Sequence, residues 1–85
     1  MINGALESTS AVWVVVAMLY GQPQAAPPVQ LITPEPLCRG LAAKLPPGSR
    51  ILGWVDGKLQ TLRFLACWRT EDGYLVEEVR PRWRP

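Results

Sequence analysis

The sequence predicts an α+β domain: a small, mostly antiparallel sheet in the order β-β-α-β-β-β, with one helix covering it. Three observations carry that expectation. A valine-rich apolar run, "AVWVVVAMLY" at 11–20, has strand composition. Leucines at 37, 41 and 45 recur every four residues behind a helix-start signal. Asp56-Gly57 and "TEDG" at 70–73 then punctuate a run of short apolar segments as hairpin turns do.

The opening run has three readings. A spanning helix needs about 20 apolar residues. Residues 11–20 would make a helix of only about 15 Å, and Gly21 and Pro23 stop it. No transmembrane span is therefore expected. As the apolar part of a secretion signal the length suits, and Gln24-Ala25-Ala26 resembles a cleavage site, but the preceding residues hold no Lys or Arg and carry Glu7. As a strand, the run places Val12, Val14, Val16, Met18 and Tyr20 on one side and Ala11, Trp13, Val15, Ala17 and Leu19 on the other. Both faces are apolar, which suits a strand covered twice or one whose second face meets a partner. The strand is the expected form, with Trp13 a candidate partner-binding residue.

"GQPQAAPP" at 21–28 reads as a loop and "VQLI" at 29–32 as a short strand returning beside the first. Thr33 offers an N-cap hydroxyl, Pro34 suits the first helical position and Glu35 complements the helix dipole. The helix should run to about Leu45, with Leu37, Leu41 and Leu45 on its buried face beside Cys38 and Ala42. Gly40 within it costs about 1 kcal/mol relative to Ala and marks an expected close approach. "RILGWV" at 50–55 and a strand from Lys58 to about Arg69 flank the Asp56-Gly57 turn, and "YLVEEV" at 74–79 completes a meander. Strict alternation would put Leu62, Phe64, Ala66 and Trp68 on one face, and Arg63, Leu65, Cys67 and Arg69 on the other. Residues 1–79 form one expected domain, and 80–85 an extended tail.

The composition of the 85 residues bounds the chemistry. There is no histidine, so the commonest general base and metal ligand are missing. Two cysteines alone do not make a four-ligand zinc site, and no Gly-rich phosphate loop is present. No enzyme activity, cofactor or metal is expected. Charge is unevenly spread: Glu7 is the single charge in residues 1–34, while all nine Lys and Arg fall after it. A chain this short buries only about 60–65% of its unfolded surface, so its core is marginal. A bridge between Cys38 and Cys67 would matter in such a core. Both thiols can point into the layer between helix and sheet, and the oxidised and reduced states stay open at this level.

"RPRWRP" at 80–85 has the composition of a docking arm. Arg80, Arg82, Trp83 and Arg84 are residue types enriched at interface hot spots, held extended by Pro81 and Pro85. Three arginines make a weak footprint for a nucleic-acid binder, so a protein partner is favoured.

Residues 11–68, with "VWVVVAMLYG", the helix-borne cysteine of "TPEPLCRGLAAKL" and the strand cysteine of "FLACW", resemble small proteins of tailed phages and prophages. The resemblance implies a phage-type accessory setting and no catalytic residue; the Pro-rich first loop, the last strand and the Arg tail depart from it. The leading expectation is a non-enzymatic virion accessory or decoration protein working through protein–protein contacts. A soluble inhibitor of a host defence or regulatory complex is the second, and an exported, disulfide-bonded domain the third. Virion or host cytoplasm is the expected location, with export the alternative.

Overall fold

The computed structural model describes residues 11–23 and 26–82. Five strands and one helix follow each other as β1 (Ala11–Leu19), β2 (Val29–Ile32), α1 (Glu35–Lys44), β3 (Arg50–Val55), β4 (Lys58–Glu71) and β5 (Tyr74–Val79). Strands dominate, every pairing is antiparallel, and α1 lies on one face of the sheet. Among the described residues no helix is long and apolar enough to cross a membrane.

The sheet order is β2-β1-β4-β3, with β5 also on β4. The 14-residue β4 organises it. One edge pairs with β1 from Leu62 to Glu71. The other pairs with β3 over 58–63 and with β5 over 67–71, so β3 and β5 lie end to end along it. Both hairpins turn on an Asp-Gly pair with positive φ at each residue, 52° and 78° at Asp56-Gly57 and 52° and 84° at Asp72-Gly73. That geometry matches the twist of the flanking strands. The second turn is tighter than the four residues expected, because Thr70 and Glu71 remain in β4.

A bulge in β4 corrects the expected alternation. Val16 opposes Ala66 but Ala17 opposes Phe64, leaving Leu65 without a partner on β1. The extra residue reverses the phase of everything after it. Cys67 therefore joins Leu62 and Phe64 beneath the helix, while Ala66 and Trp68 turn to the far face. Simple alternation would have put Cys67 on the face opposite Leu62 and Phe64. The core under α1 then comprises Trp13, Val15, Ala17, Leu62, Phe64 and Cys67 from the sheet, with Cys38 and Ala42 from the helix. Val14, Val16, Met18 and Ala66 are buried on the opposite face.

The helix departs from expectation in three places. Pro34, not Thr33, occupies the N-cap position, and no side chain caps the helix. The Thr33 hydroxyl instead donates to the Leu31 carbonyl, holding the turn that precedes it. The buried stripe is Cys38 and Ala42, with Leu41 and Leu45 half-buried beside them, whereas Leu37 is 57% exposed. The small residues let α1 lie close to the sheet, and Leu37 points away from it. Gly40 meets nothing: a Cβ built there has no neighbour within 4 Å, so close packing is not its reason.

Candidate protein contact surface

The residues singled out by sequence divide between core, helix groove and tail. Cys38 and Cys67 are fully buried and bonded to each other, their Cα atoms 5.8 Å apart. Trp13 is only 9% exposed and belongs to the core, which corrects its assignment to a partner surface. The guanidinium of Arg39 sits 4.7 Å from its ring centroid and closes it from above. Arg80 and Arg82 follow β5 outside the sheet and line a groove of about 710 Å³ with Arg39, Ala42 and Val79. The Arg82 amide donates to the Ala42 carbonyl, so the tail starts against α1. Trp83 and Arg84 lie outside the described residues.

Most charges at the α1–β5 end are paired, although Lys44 and Arg82 are in no ion pair among the described residues. Arg39 bridges Glu35 and Glu77, Arg69 bridges Glu77 and Glu71, and Arg80 pairs with Glu78. Its bond to Glu35, with Glu77 adding to it, raises the Arg39 pKa above its ordinary value. The Trp68 indole N–H donates to Glu78 at 2.9 Å, and with Arg80 it holds that carboxyl below the ordinary value of 4.5. These carboxylates serve structure. Among the described residues no cluster of three or more metal-ligating side chains occurs.

The β3–β4 hairpin is built differently. A Cβ on Gly53 would lie 2.8 Å from both Leu31 Cδ1 and Leu62 Cδ1, so nothing larger sits easily there. Gly53 thus faces the core with Ile51 and Val55, and the alternation of the strand turns Arg50, Leu52 and Trp54 to the face away from α1. Across the ladder, Leu59 opposes Trp54, Thr61 opposes Leu52 and Arg63 opposes Arg50. Leu52 and Trp54 are each 67% exposed and Leu59 is 54% exposed.

Behind this apolar step Tyr20 closes the surface. The Arg50 guanidinium carbon lies 5.1 Å from its ring centroid, and Arg50 Nε donates to the hydroxyl at 3.2 Å. Arg63 approaches the same ring at 6.0 Å. Neither arginine is in an ion pair among the described residues, unlike Arg39, Arg69 and Arg80. Two like charges directly opposed in a ladder are destabilising, and the tyrosine ring offsets part of that. The surface combines exposed aliphatic and aromatic groups with two unneutralised cations, a composition suited to holding a protein segment.

Sequence reading found the hairpin but not this platform. The signal lay in "RILGWV", where glycine amid apolar neighbours marks the crowded side and sends tryptophan to the other. No family model, curated protein or solved structure matches this chain.

Proposed function

We propose that this chain is a non-enzymatic, disulfide-stapled domain that works through protein–protein contacts at its β3–β4 hairpin, as an accessory component of a phage-type particle. The exposed pair of Trp54 and Leu52 carries the reading. A tryptophan presents about 200 Å² of surface, so covering the exposed two-thirds of Trp54 is worth about 3 kcal/mol. That is the scale of an interface hot spot.

The particle setting comes from the resemblance in residues 11–68 alone. The Cys38–Cys67 bond supports a surface-displayed or exported domain over an inhibitor in a reducing cytoplasm, because disulfides persist in oxidising surroundings. Run 11–19 is the strand between β2 and β4, so removing it as a leader would take out the middle of the sheet.

The test is site-specific photocrosslinking in the producing cells and in purified particles. A photoreactive residue at Leu52 should give a discrete adduct with one protein, and the same residue at exposed Ala43, on the groove beside α1, should not. An adduct from position 43 alone, or none from 52, would refute the assignment.

A further inference from the structure

The charge layout around the platform says more about what it holds. Arg50 and Arg63 are cross-strand neighbours, converge on the ring of Tyr20, and have no carboxylate in an ion pair with either. The carboxylates Glu35, Glu71, Glu77 and Glu78 are all engaged by Arg39, Arg69 and Arg80 at the other end of the molecule. Asp56, at the tip of the same hairpin, is in no ion pair among the described residues, so self-association is an outcome the test below must separate. β3 ends the sheet order, and among the described residues no strand pairs with its outer edge. Apolar Leu52 and Trp54 stand on that same strand.

We propose that the platform takes an extended acidic segment of a partner protein, added as a strand along the outer edge of β3. This rests on the contact surface assigned above and names its occupant. Backbone hydrogen bonds to β3 align the segment, as in strand addition generally. Its carboxylates are received by the guanidiniums of Arg50 and Arg63, which swing from the Tyr20 ring toward the β3 edge and are suited to bidentate carboxylate recognition. Alternate apolar side chains of the segment rest on Leu52 and Trp54, matching the period of two. Binding removes the mutual repulsion of the two arginines, an electrostatic gain available only with an anionic occupant.

The probe is a short peptide alternating glutamate with leucine, compared with its glutamine–leucine counterpart, and the readout is NMR of the arginine Nε–H and tryptophan indole N–H signals. The glutamate peptide should shift Arg50, Arg63 and Trp54 and bind at least about tenfold more tightly than the glutamine peptide. In the double variant Arg50→Gln, Arg63→Gln, that preference should vanish. The variant should stay folded, the relief of the like-charge pair set against the lost contacts with Tyr20.

Equal binding of the two peptides, or no shift with either, would overturn the proposal. So would binding to phosphatidylserine vesicles or to a thymidine oligonucleotide in place of the peptide, or concentration-dependent self-association through Trp54. A Leu52 crosslink accompanied by indifferent peptides would sink this inference and leave the contact surface standing. Discriminating peptides without a Leu52 crosslink would do the reverse.

Discussion

Replacing Cys38 and Cys67 together with alanine removes the one covalent tie between α1 and the sheet. The bond joins residues 29 apart in sequence. In the chain-entropy treatment, releasing a loop of that length from the unfolded state costs the folded protein about 3.6 kcal/mol at 25 °C. A domain of this size has a total stability of about 4–13 kcal/mol. The loss is thus a large fraction of the whole, and the two missing sulfurs add a small cavity beneath α1. Urea unfolding followed by tryptophan fluorescence is the assay, read against the oxidised wild type. With a slope of about 1 kcal/mol per molar urea, the midpoint should fall by about 3.6 M, and Tm by about 15–30 °C. A fall under about 1 kcal/mol would refute the claim that the bond staples a marginal core. Two freely titrating thiols in native protein from its own host would refute the bond itself.

Three further outcomes follow from particular residues. Gly40→Ala should stabilise the protein by about 1 kcal/mol in the same urea assay, because a helical glycine is replaced where a Cβ meets nothing. Deleting Leu65 should remove the bulge yet leave Cys67 beneath α1, because Phe64, Ala66 and Cys67 then alternate core, far, core; mass spectrometry should still find Cys38 and Cys67 bonded. Glu78 has its carboxyl held low by Trp68 and Arg80, so its contribution to stability is present above 4.5 and fades as pH falls through the depressed folded value. Thermal melts across that acid range should show wild type losing more stability than Glu78→Gln.

Much of the architecture was legible in residue order. The valines of β1, the two Asp-Gly turns and the proline-led start of α1 mark elements through local chemistry, and local chemistry is what a sequence displays. The helix stripe was half legible: Cys38 and Ala42 were placed correctly, but Leu37 was assigned to the core because leucine spacing was followed over residue size. Nothing in "TLRFLACW" announces the bulge at Leu65. It arises from the mismatch between β1 and β4 over their shared length and from the need to bring Cys67 beneath α1, both relations between distant segments. Trp13 was misjudged for a similar reason. A strand apolar on both faces does not say which face the helix takes, and Arg39, 26 positions later, is what closes over the ring. The hairpin platform was encoded by Gly53, but its meaning depends on Leu31 and Leu62 crowding that side.

The central claim is that exposed Trp54 anchors a protein partner while contributing little to the fold. The decisive measurement is the affinity of Trp54→Ala for the protein crosslinked from Leu52, made beside its free energy of unfolding. Losing the ring should leave stability within about 1 kcal/mol of wild type, since it gives up one cross-strand pair with Leu59. Binding should weaken by at least about 2 kcal/mol, about thirtyfold, as for a central aromatic anchor. Unchanged affinity in a folded Trp54→Ala protein would contradict the account.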